Sequence, residues 1–387
     1  MILRILLPLL LLLFFPAWVL NRFLLKPRVG WFGRFLFFLP NLLLFIALCL
    51  MAVSERTTPD AAYRLTFVLT CTLTLGFSEL LLSLFVLLRV PLRRLWVRRA
   101  LLAMGGVLSA VCFVSMVYGF TQGYRHVVVK PVAYKFAQLP KPFHGYRIAQ
   151  ISDFHLGTLS GRADLVKRIV DMVNAAHPDL VVFTGDLVNT RAEELEEFKN
   201  ILSHFRAPDG VVSVMGNHDY LTYHAWPSDA ARQENVNRLQ ELQRDMGWKL
   251  LLNEHKLLRR LGDSLAIVGV ENDGRPPFPA LGDLPQAQEG LSDECFKVLL
   301  SHDPSHWRRR VVPDTNIPLT LSGHTHGMQL QLGSFSPAAW FYPEWGGTYT
   351  AQGQVLHVSL GVGEVMLPFR LGAWPEINLI TLECADV

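Results

Sequence analysis

The chain has 387 residues, of which 50% are hydrophobic, so it is longer and more apolar than one small soluble domain. Its net charge of +3 is unevenly distributed, because the first 135 residues carry +12 and the rest carries −9. The acidic second part argues against nucleic-acid binding, which needs clustered Lys and Arg to neutralise phosphates.

Four apolar segments fill the first third of the sequence. Most approach the ~20 residues that are needed to cross the hydrocarbon core of a bilayer. They are Ile5 to Leu20, Phe35 to Val53, Leu65 to Val90 and Ala100 to Phe120. A cleaved signal peptide is the alternative for the first segment, but no small-residue cleavage site follows Leu20. The sequence therefore predicts a transmembrane region of about four helices over residues 1–122.

Basic residues in the short loops predict the orientation of these helices. The first and third loops are rich in Lys and Arg, whereas the second has only Arg56 and Arg64. The positive-inside rule places the rich loops in the cytoplasm, so both termini face outward. We therefore expect an integral protein of the plasma membrane with an extracytoplasmic C-terminal domain, although basic residues between 125 and 135 weaken the asymmetry.

Glu79 lies near the middle of the third predicted span, where an ionised carboxylate is costly. We expect it to be hydrogen-bonded inside the helix bundle, because the spans contain no second acid or His that would continue a transport path. A transporter or receptor with an attached enzyme is the alternative, and it depends on Glu79 alone.

Residues 123–145 are predicted to form a linker with a first β-strand, interrupted by prolines. Next, "YRIAQIS" and "DLVVFTG" are apolar strands, and "ADLVKRIVDMVNAA" between them is an amphipathic helix. This order is typical of a βαβ unit whose parallel strands are buried on both faces.

The later segments repeat the alternation less regularly. Helices are predicted over "AEELEEFKNILSHF" and "ENVNRLQELQRDMG", and "WKLLLNEHKLLRRL" and "LAIVGVEN" are predicted to form paired strands. Further short strands are predicted in "GVVSVMG", "FKVLLSHDP", "IPLTLSGHTHG", "QVLHVSLGVG" and "EINLITLEC". The sequence therefore predicts an α/β sandwich of mixed β-sheets flanked by helices over residues 146–387.

Asp, Asn and His side chains follow five of the predicted strands. We expect these five exits to belong to one sheet, because ligands bind beyond the carboxyl ends of strands in open α/β sheets. The residues are Asp153 and His155 in "SDFHLG", Asp186 in "TGDL", Asn217, His218 and Asp219 in "GNHD", His302 in "LSHDP", and His324 and His326 in "SGHTHG". A single fragment of this kind is usually an ordinary turn, but five together are not.

The residue types in these exits indicate a metal centre. Carboxylate, amide and imidazole ligands suit manganese, iron or zinc. Three Asp or Asn and four His exceed the needs of one tetrahedral zinc ion. The sequence therefore favours two divalent ions, with the carboxylate of Asp186 contacting both.

In this order the five blocks resemble the signature of the calcineurin-like metallophosphoesterases. The stretches "GWKLLLNEH" and "PEINLITL" resemble the membrane-associated phosphodiesterase branch of that superfamily. The resemblance implies one metal site of Asp153, His155, Asp186 and His326, and a second of Asp186, Asn217, His302 and His324. It further implies that His218 is the acid or charge stabiliser at the scissile phosphate, with Asp219 beside it as an orienter. Met328 stands where many relatives of this branch have a second Gly, which bears on substrate fit.

The resemblance implies a membrane-anchored dinuclear phosphoesterase that cleaves phosphodiester bonds by attack of a metal-bridging hydroxide. A nucleotide-lipid pyrophosphatase, a phosphomonoesterase and a protein phosphatase share this chemistry and stay open. The expected partners are a phosphoester, with a lipid-linked one among the candidates, and the bilayer. A membrane-tethered binding module is the alternative without catalysis, but every ligand block is intact.

Two further stretches have two interpretations each. We expect Trp340, Phe341, Tyr342 and Trp345 to pack in the core, and the arginines of "HWRRR" to form a solvated helix face. The alternative is an apolar wall or membrane-dipping loop, with these arginines meeting lipid headgroups.

Overall fold

The computed structural model describes residues 2–53 and 59–385. The chain divides into two compact units, Met1–Thr121 and Gln122–Val387. Arg56, one of the two basic residues counted in the second loop, lies outside the described residues.

The first unit consists of four long helices, α1 (Ile2–Leu20), α2 (Trp31–Val53), α3 (Pro59–Leu88) and α4 (Leu95–Thr121). All four are long and apolar enough to cross a membrane. Large apolar side chains such as Leu50, Phe67 and Val114 are exposed on their outer faces, as expected of helices that contact lipid. The prediction of about four long apolar helices in this region is confirmed.

Asn41 links three helices of this unit. Its side-chain Nδ2 donates to the carboxylate of Glu79 over 2.9 Å and to the carbonyl of Leu13 over 2.9 Å. Glu79 is therefore hydrogen-bonded inside the bundle, as the sequence predicts from the cost of burying a carboxylate.

The second unit is built from strands and shorter helices. Its strands are β1 (Val128–Phe136), β2 (Tyr146–Ile151), β3 (Leu180–Phe183), β4 (Val211–Ser213), β5 (Trp248–Leu250), β6 (Glu254–Arg260), β7 (Asp263–Gly269), β8 (Phe296–Leu300), β9 (Leu319–Ser322), β10 (Gly347–Ala351), β11 (Gln354–Val358) and β12 (Glu376–Cys384). Its helices are α5 (Ala163–Ala175), α6 (Lys199–Leu202), α7 (Asp229–Asp245), α8 (Leu284–Ala287) and α9 (Val312–Asp314).

The strands form two mixed sheets of six strands each. The first has the order β1-β12-β2-β3-β4-β5 and the second the order β10-β11-β9-β8-β7-β6. In the first sheet, β12 runs antiparallel to β2, and β2 to β5 are parallel. In the second, β7, β8, β9 and β11 are parallel, and β6 and β10 are antiparallel to their neighbours. Pro131 is tolerated in β1 because this strand lies at a sheet edge.

Alternating side chains of the inner strands fill two different cores. Leu180 and Val182 of β3 pack between the two sheets, whereas Val181 and Phe183 pack in the core that contains residues of α5 and α7. A third core around Trp307 includes alternate residues of the second sheet, such as Val268. Full burial of each such side chain stabilises the fold by about 1.5–3 kcal/mol. The predicted sandwich of mixed sheets flanked by helices is confirmed.

Two predicted elements differ from the structure. The stretch "WKLLLNEHKLLRRL" is divided, because β5 pairs with β4 in the first sheet and β6 pairs with β7 in the second. The predicted helix from Ala192 is only a 3-10 turn followed by the short α6. The Glu194 carboxylate accepts the backbone N–H groups of Asn189, Thr190 and Arg191 at the start of this turn. The hydrophobic pattern shows neither the change of sheet between β5 and β6 nor the loop around Glu194.

The five polar strand exits belong to both sheets, so the prediction of one sheet is wrong. Three of them follow β2, β3 and β4 of the first sheet, and two follow β8 and β9 of the second. Because the parallel strands of both sheets end at the same end of the sandwich, the spacing of the motifs along the chain does not reveal which sheet supplies them.

Candidate functional site

The structure brings all seven predicted metal ligands to one end of the sandwich. Six of them, together with His218, form three overlapping groups, and within each group the ligand atoms lie within 4.8 Å of one another. These groups are Asp153, His155 and His326; His155, Asp186 and His218; and Asp186, His302 and His324. Asn217 joins the third group, since its Oδ1 lies 3.2 Å from Nε2 of His302.

Asp186 lies between the two halves of this cluster. Its Oδ2 is 3.6 Å from Nε2 of His155 and 3.2 Å from Nε2 of His302, and its side chain is 2% exposed. Its other oxygen accepts the backbone N–H of His218 over 2.8 Å. One buried carboxylate therefore faces the ligands of both predicted metal sites.

The ring nitrogens on either side of Asp186 face one another. On one side, Nε2 of His155 lies 3.1 Å from Nε2 of His326, which is 3.2 Å from Oδ1 of Asp153. On the other side, Nδ1 of His324 lies 3.2 Å from Nε2 of His302. Imidazole lone pairs and carboxylate oxygens that converge in this way form a donor set for a cation.

The environment favours the protonation states that metal ligands need at His155, Asp186, His324 and His326, but not at His302. Burial lowers the pKa of His155, His324 and His326, so these rings are neutral. Burial also opposes charge on Asp186, but His302 and His218 hold the pKa of its carboxyl well below the usual range. For His302 burial lowers the pKa, but the Asp186 carboxylate outweighs this and raises it to about 10.

The cluster fits two divalent cations better than one. Its seven residues offer three oxygen ligands and four imidazoles, and Asp186 is common to the two halves. A metal must displace the proton of His302, so binding releases a proton. These residues can therefore hold two ions of the hard to borderline type.

Backbone strain is concentrated at the same residues. Five of the seven predicted ligands have a positive φ, namely Asp153, His155, Asp186, His324 and His326, out of 13 such non-glycine residues in the described chain. Each costs roughly 1–2 kcal/mol relative to ordinary backbone. Strain of this kind is typical of functional sites, where it aims side chains at a common point.

Two glycines of the motifs allow the strand exits to approach one another. A Cβ on Gly216 would lie 2.3 Å from Oδ1 of Asp186, and a Cβ on Gly323 would lie 2.4 Å from Oδ2 of Asp153. Any side chain at either position would displace a predicted ligand. The glycines of "GN" and "SG" are therefore needed for steric reasons.

His218 and Asp219 occupy different environments. Nδ1 of His218 lies 2.8 Å from the carbonyl of Asn189, so Nδ1 carries the hydrogen and Nε2 is left for proton transfer. The buried Asp219 carboxylate instead accepts the backbone N–H groups of Asp186, Leu187, Val188 and Gly216. Among the described contacts, the His218 ring is oriented by Asn189 and not by Asp219, which corrects the expected role of this carboxylate.

Several residues around the cluster carry no sequence motif. The Tyr342 hydroxyl lies 2.7 Å from Nε2 of His324, and the Tyr223 ring stacks on His218 with centroids 4.2 Å apart. The fully buried Arg370 places Nη2 3.1 Å from Nδ1 of His326. Only Tyr342 stood out in the sequence, as part of an aromatic run, and Arg370 follows no pattern that would indicate it.

A cavity of about 210 Å³ opens directly above the cluster. Its polar wall includes Asp186, Asn217, His218, His324 and His326, and its apolar wall includes Phe278, Met328, Ala338, Phe341 and Val365. A larger cavity of about 660 Å³ beside Asp273 and Arg310 contains none of the predicted ligands. The smaller cavity is therefore the candidate substrate site.

The aromatic run differs from its expected packing, whereas Arg308 and Arg310 are exposed on a short helix, as expected. Trp340 and Phe341 are 73% and 66% exposed, so the prediction that they pack in the core is wrong. The side chains of Arg308 and Arg309 pair with Glu344 and Asp273, at 2.6 and 2.7 Å. These two arginines are thus occupied by carboxylates of the same unit.

Known proteins are similar in sequence to this chain. The model of the calcineurin-like phosphoesterase family matches residues 146–328. A transmembrane protein with metallophosphoesterase domain from Danio rerio is 32% identical over 279 residues, which are 70% of this chain and 61% of that protein. The uncharacterized metallophosphoesterase YkuE from Bacillus subtilis is 30% identical over 262 residues, which are 65% of this chain and 84% of YkuE.

The name of a third relative states the reaction of that protein. The UDP-2,3-diacylglucosamine pyrophosphatase LpxG from Chlamydia muridarum is 44% identical over 237 residues, which are 50% of this chain and 68% of LpxG. Coverage, identity and the intact donor set agree with the resemblance that the sequence shows. The chain belongs to the calcineurin-like phosphoesterase family and is a metal-dependent hydrolase.

Proposed function

We propose that the protein is a membrane-anchored dinuclear phosphodiesterase. The observation that carries this proposal is the position of Asp186, whose Oδ2 lies within 3.6 Å of Nε2 of His155 and 3.2 Å of Nε2 of His302. A single carboxylate shared by two sets of imidazole and carboxylate ligands suits a two-metal hydrolase.

Seven residues would hold the two ions. Asp153, His155, Asp186 and His326 form the first set, and Asp186, Asn217, His302 and His324 form the second. When bound, ions of manganese, iron or zinc supply positive charge for the phosphoryl oxygens and activate the water that attacks phosphorus.

His218 is the proton donor in this proposal. The Asn189 carbonyl fixes its Nδ1–H, and the stacked Tyr223 ring fixes its plane. Nε2 then holds the proton that the leaving oxygen of the ester takes up, and a protonated ring also stabilises the charge that develops there. The backbone N–H of His218 donates to Asp186. This hydrogen bond fixes the position of the proposed proton donor relative to the shared metal ligand.

Two further residues position this machinery. Asp219 fixes the loop of Asp186 through four backbone hydrogen bonds, and Tyr342 contacts Nε2 of His324. Contacts of this kind to ligands set ring orientation in metal sites. Neither side chain is required to touch the reacting phosphorus.

The excess of Lys and Arg in the first and third loops supports a plasma-membrane protein whose α/β unit is extracytoplasmic. A pyrophosphatase acting on a nucleotide-linked lipid is the second candidate, and the relative named UDP-2,3-diacylglucosamine pyrophosphatase favours it. Both reactions use the same donor set, but they differ in the bond that is cleaved.

The test compares hydrolysis of bis-p-nitrophenyl phosphate and p-nitrophenyl phosphate by the full chain in nanodiscs with manganese. We expect faster cleavage of the diester, and we expect Asp186→Asn to abolish it. Cleavage of the monoester alone would contradict a phosphodiesterase. Cleavage of a UDP-linked pyrophosphate with neither ester cleaved would replace the proposal by the second candidate.

A further inference from the structure

Six large exposed apolar side chains line the candidate substrate cavity or lie near its lining residues along the chain. We name them the apolar rim; they are Met328, Leu332, Phe335, Trp340, Phe341 and Met366. Three of them, Trp340, Phe341 and Met366, are 73%, 66% and 65% exposed. Single exposed apolar residues are ordinary, but a cluster beside a functional cavity is typical of a binding surface.

The apolar rim is continuous with the cavity above the metal ligands. Met328 and Phe341 line that cavity together with His218 and His324. The rings of Phe335 and Trp340 contact each other, with centroids 5.8 Å apart. A molecule whose phosphoryl group reaches His218 therefore meets the rim with its remaining atoms.

The backbone conformation at Met328 is unusual for a residue other than glycine. Residues His326 to Gln329 all have positive φ, and Met328 itself has φ 46°. This region favours glycine, and a methionine costs roughly 1–2 kcal/mol in it. The chain thus keeps a strained, half-exposed apolar side chain at the edge of the cavity.

The chemistry of the rim favours hydrocarbon over a nucleotide base. Its six side chains offer a single hydrogen-bonding group, the indole N–H of Trp340, so base edges would stay unpaired there. The cavity of about 210 Å³ is smaller than the roughly 300–1,000 Å³ of typical ligand pockets, so part of a large substrate would lie outside it. Four candidate membrane helices in the same chain bring the protein to a hydrocarbon phase.

A cationic side chain lies near the polar wall of the cavity. Arg275 is exposed and lies close enough to Tyr342, which lines the cavity, for its positive charge to act on the hydroxyl. An amphiphilic phosphoester would therefore meet a positive charge near the cavity as well as the apolar rim.

We propose that the substrate is an amphiphilic phosphoester whose hydrocarbon chain lies on the apolar rim while its phosphoryl group occupies the metal-ligand cavity. This inference rests on the proposed function and narrows its substrate class. Hydrolysis adds one water across the P–O bond, so an alkyl p-nitrophenyl phosphate gives p-nitrophenol and an alkyl phosphate.

The experiment uses the full chain in nanodiscs and p-nitrophenyl phosphates with alkyl chains from ethyl to octyl. We expect kcat/KM to rise about two-fold per methylene, which is half of the full water-to-hydrocarbon effect on a logarithmic scale. Over the six added methylenes the rise is about 60-fold. Titration with alkylphosphonates of the same lengths gives a second readout that needs no turnover, with empty nanodiscs as the blank.

Two variants remove parts of the rim, and one variant is a matched control. Trp340→Ser and Met328→Gly should each flatten the dependence on chain length several-fold. Leu261→Gly is the control, because Leu261 is also exposed and also has a positive φ. It lies in the turn between β6 and β7, away from the strand ends that carry the ligands. This control should keep the wild-type dependence.

The outcomes separate this inference from the proposed function. A chain-length dependence that both rim variants lose supports the inference. Cleavage of the ethyl ester with no dependence on chain length overturns it and leaves the phosphodiesterase intact. A dependence that persists in Trp340→Ser and Met328→Gly also overturns it. Binding that strengthens with chain length but gives no turnover supports the rim and contradicts the phosphodiesterase.

Discussion

The floor of the candidate site and the apolar rim above it differ in almost every physical respect. The floor is buried, and its charged and imidazole groups are fixed by backbone strain and hydrogen bonds. The rim is exposed, and its apolar side chains have few fixed partners. In the proposed function, the floor would determine which bond is cleaved, and the rim would determine which molecules bring that bond to it. Substitutions in the two regions should therefore change different observables.

The largest effect is expected at His218 in the floor. His218→Ala should lower turnover of a phosphodiester by roughly two to four orders of magnitude, because a general acid is lost. Metal content, measured by mass spectrometry of the purified protein, should stay at the wild-type value. His204→Ala, at an exposed position, is the control. Full activity of His218→Ala would remove this residue from the mechanism.

Glu364 lies next to both regions in the chain. It is buried, and it directly precedes Val365, which lines the cavity, and Met366 of the rim. Burial raises the pKa of its carboxyl to about 7, although Arg162 acts in the opposite direction. The folded-state pKa is thus above the unfolded value of 4.5, so the stabilisation is complete below pH 4.5 and disappears as the pH rises through 7.

This pKa difference corresponds to a loss of about 3 kcal/mol in the free energy of unfolding, at about 1.4 kcal/mol for each pH unit. Glu364→Gln should lose this part of the pH dependence, which pulse proteolysis at pH 4.5 to 8 would detect. Glu289→Gln, at an exposed position, should behave as the wild type. Equal pH profiles for the wild type and Glu364→Gln would contradict the raised pKa.

A smaller effect is expected at Asp219, which holds the floor through the backbone. Asp219→Asn turns an amide N–H₂ toward N–H donors, so at least one of the four backbone donors loses its acceptor. We expect a loss of about 2 kcal/mol in stability and a lower kcat with an unchanged pH optimum. Asp171→Asn breaks only an exposed ion pair and should cost under about 1 kcal/mol. Loss of the pH optimum itself in Asp219→Asn would instead indicate a role in proton transfer.

The smallest effect is expected at the rim. Met328→Gly removes the left-handed strain of a non-glycine residue and should stabilise the protein by about 1 kcal/mol. Leu261→Gly should stabilise it by a similar amount, since its φ of 48° is comparable. Thermal unfolding of both variants measures this. Destabilisation by Met328→Gly alone would show that the rim contributes to the fold and not only to binding.

The sequence predicts the floor well because metal chemistry restricts it to a few residue types. Asp153, Asp186 and His324 each follow a strand, and their spacing is set by the strand exits. The rim and the supporting contacts have no such restriction. Trp340 resembles any core aromatic until its neighbours are known, and the contact of Arg370 with His326 joins residues that only the folded chain brings together.

The same limit explains the errors in the fold. Hydrophobic alternation shows that β5 and β6 are strands, but it does not show that they enter different sheets. Likewise, the polar exits predict a common site, but whether one sheet or two supply them depends on how the sandwich closes. Pairing of distant strands is decided by tertiary packing and not by local pattern.

The most direct test of the central claim is the number of metal ions bound per chain. The full-length protein, saturated with manganese and freed of excess, should bind two ions, and Asp186→Asn should lose binding at both sites because both share this carboxylate. A wild-type stoichiometry of one ion, or an Asp186→Asn variant that still binds two, would contradict a dinuclear centre built around Asp186.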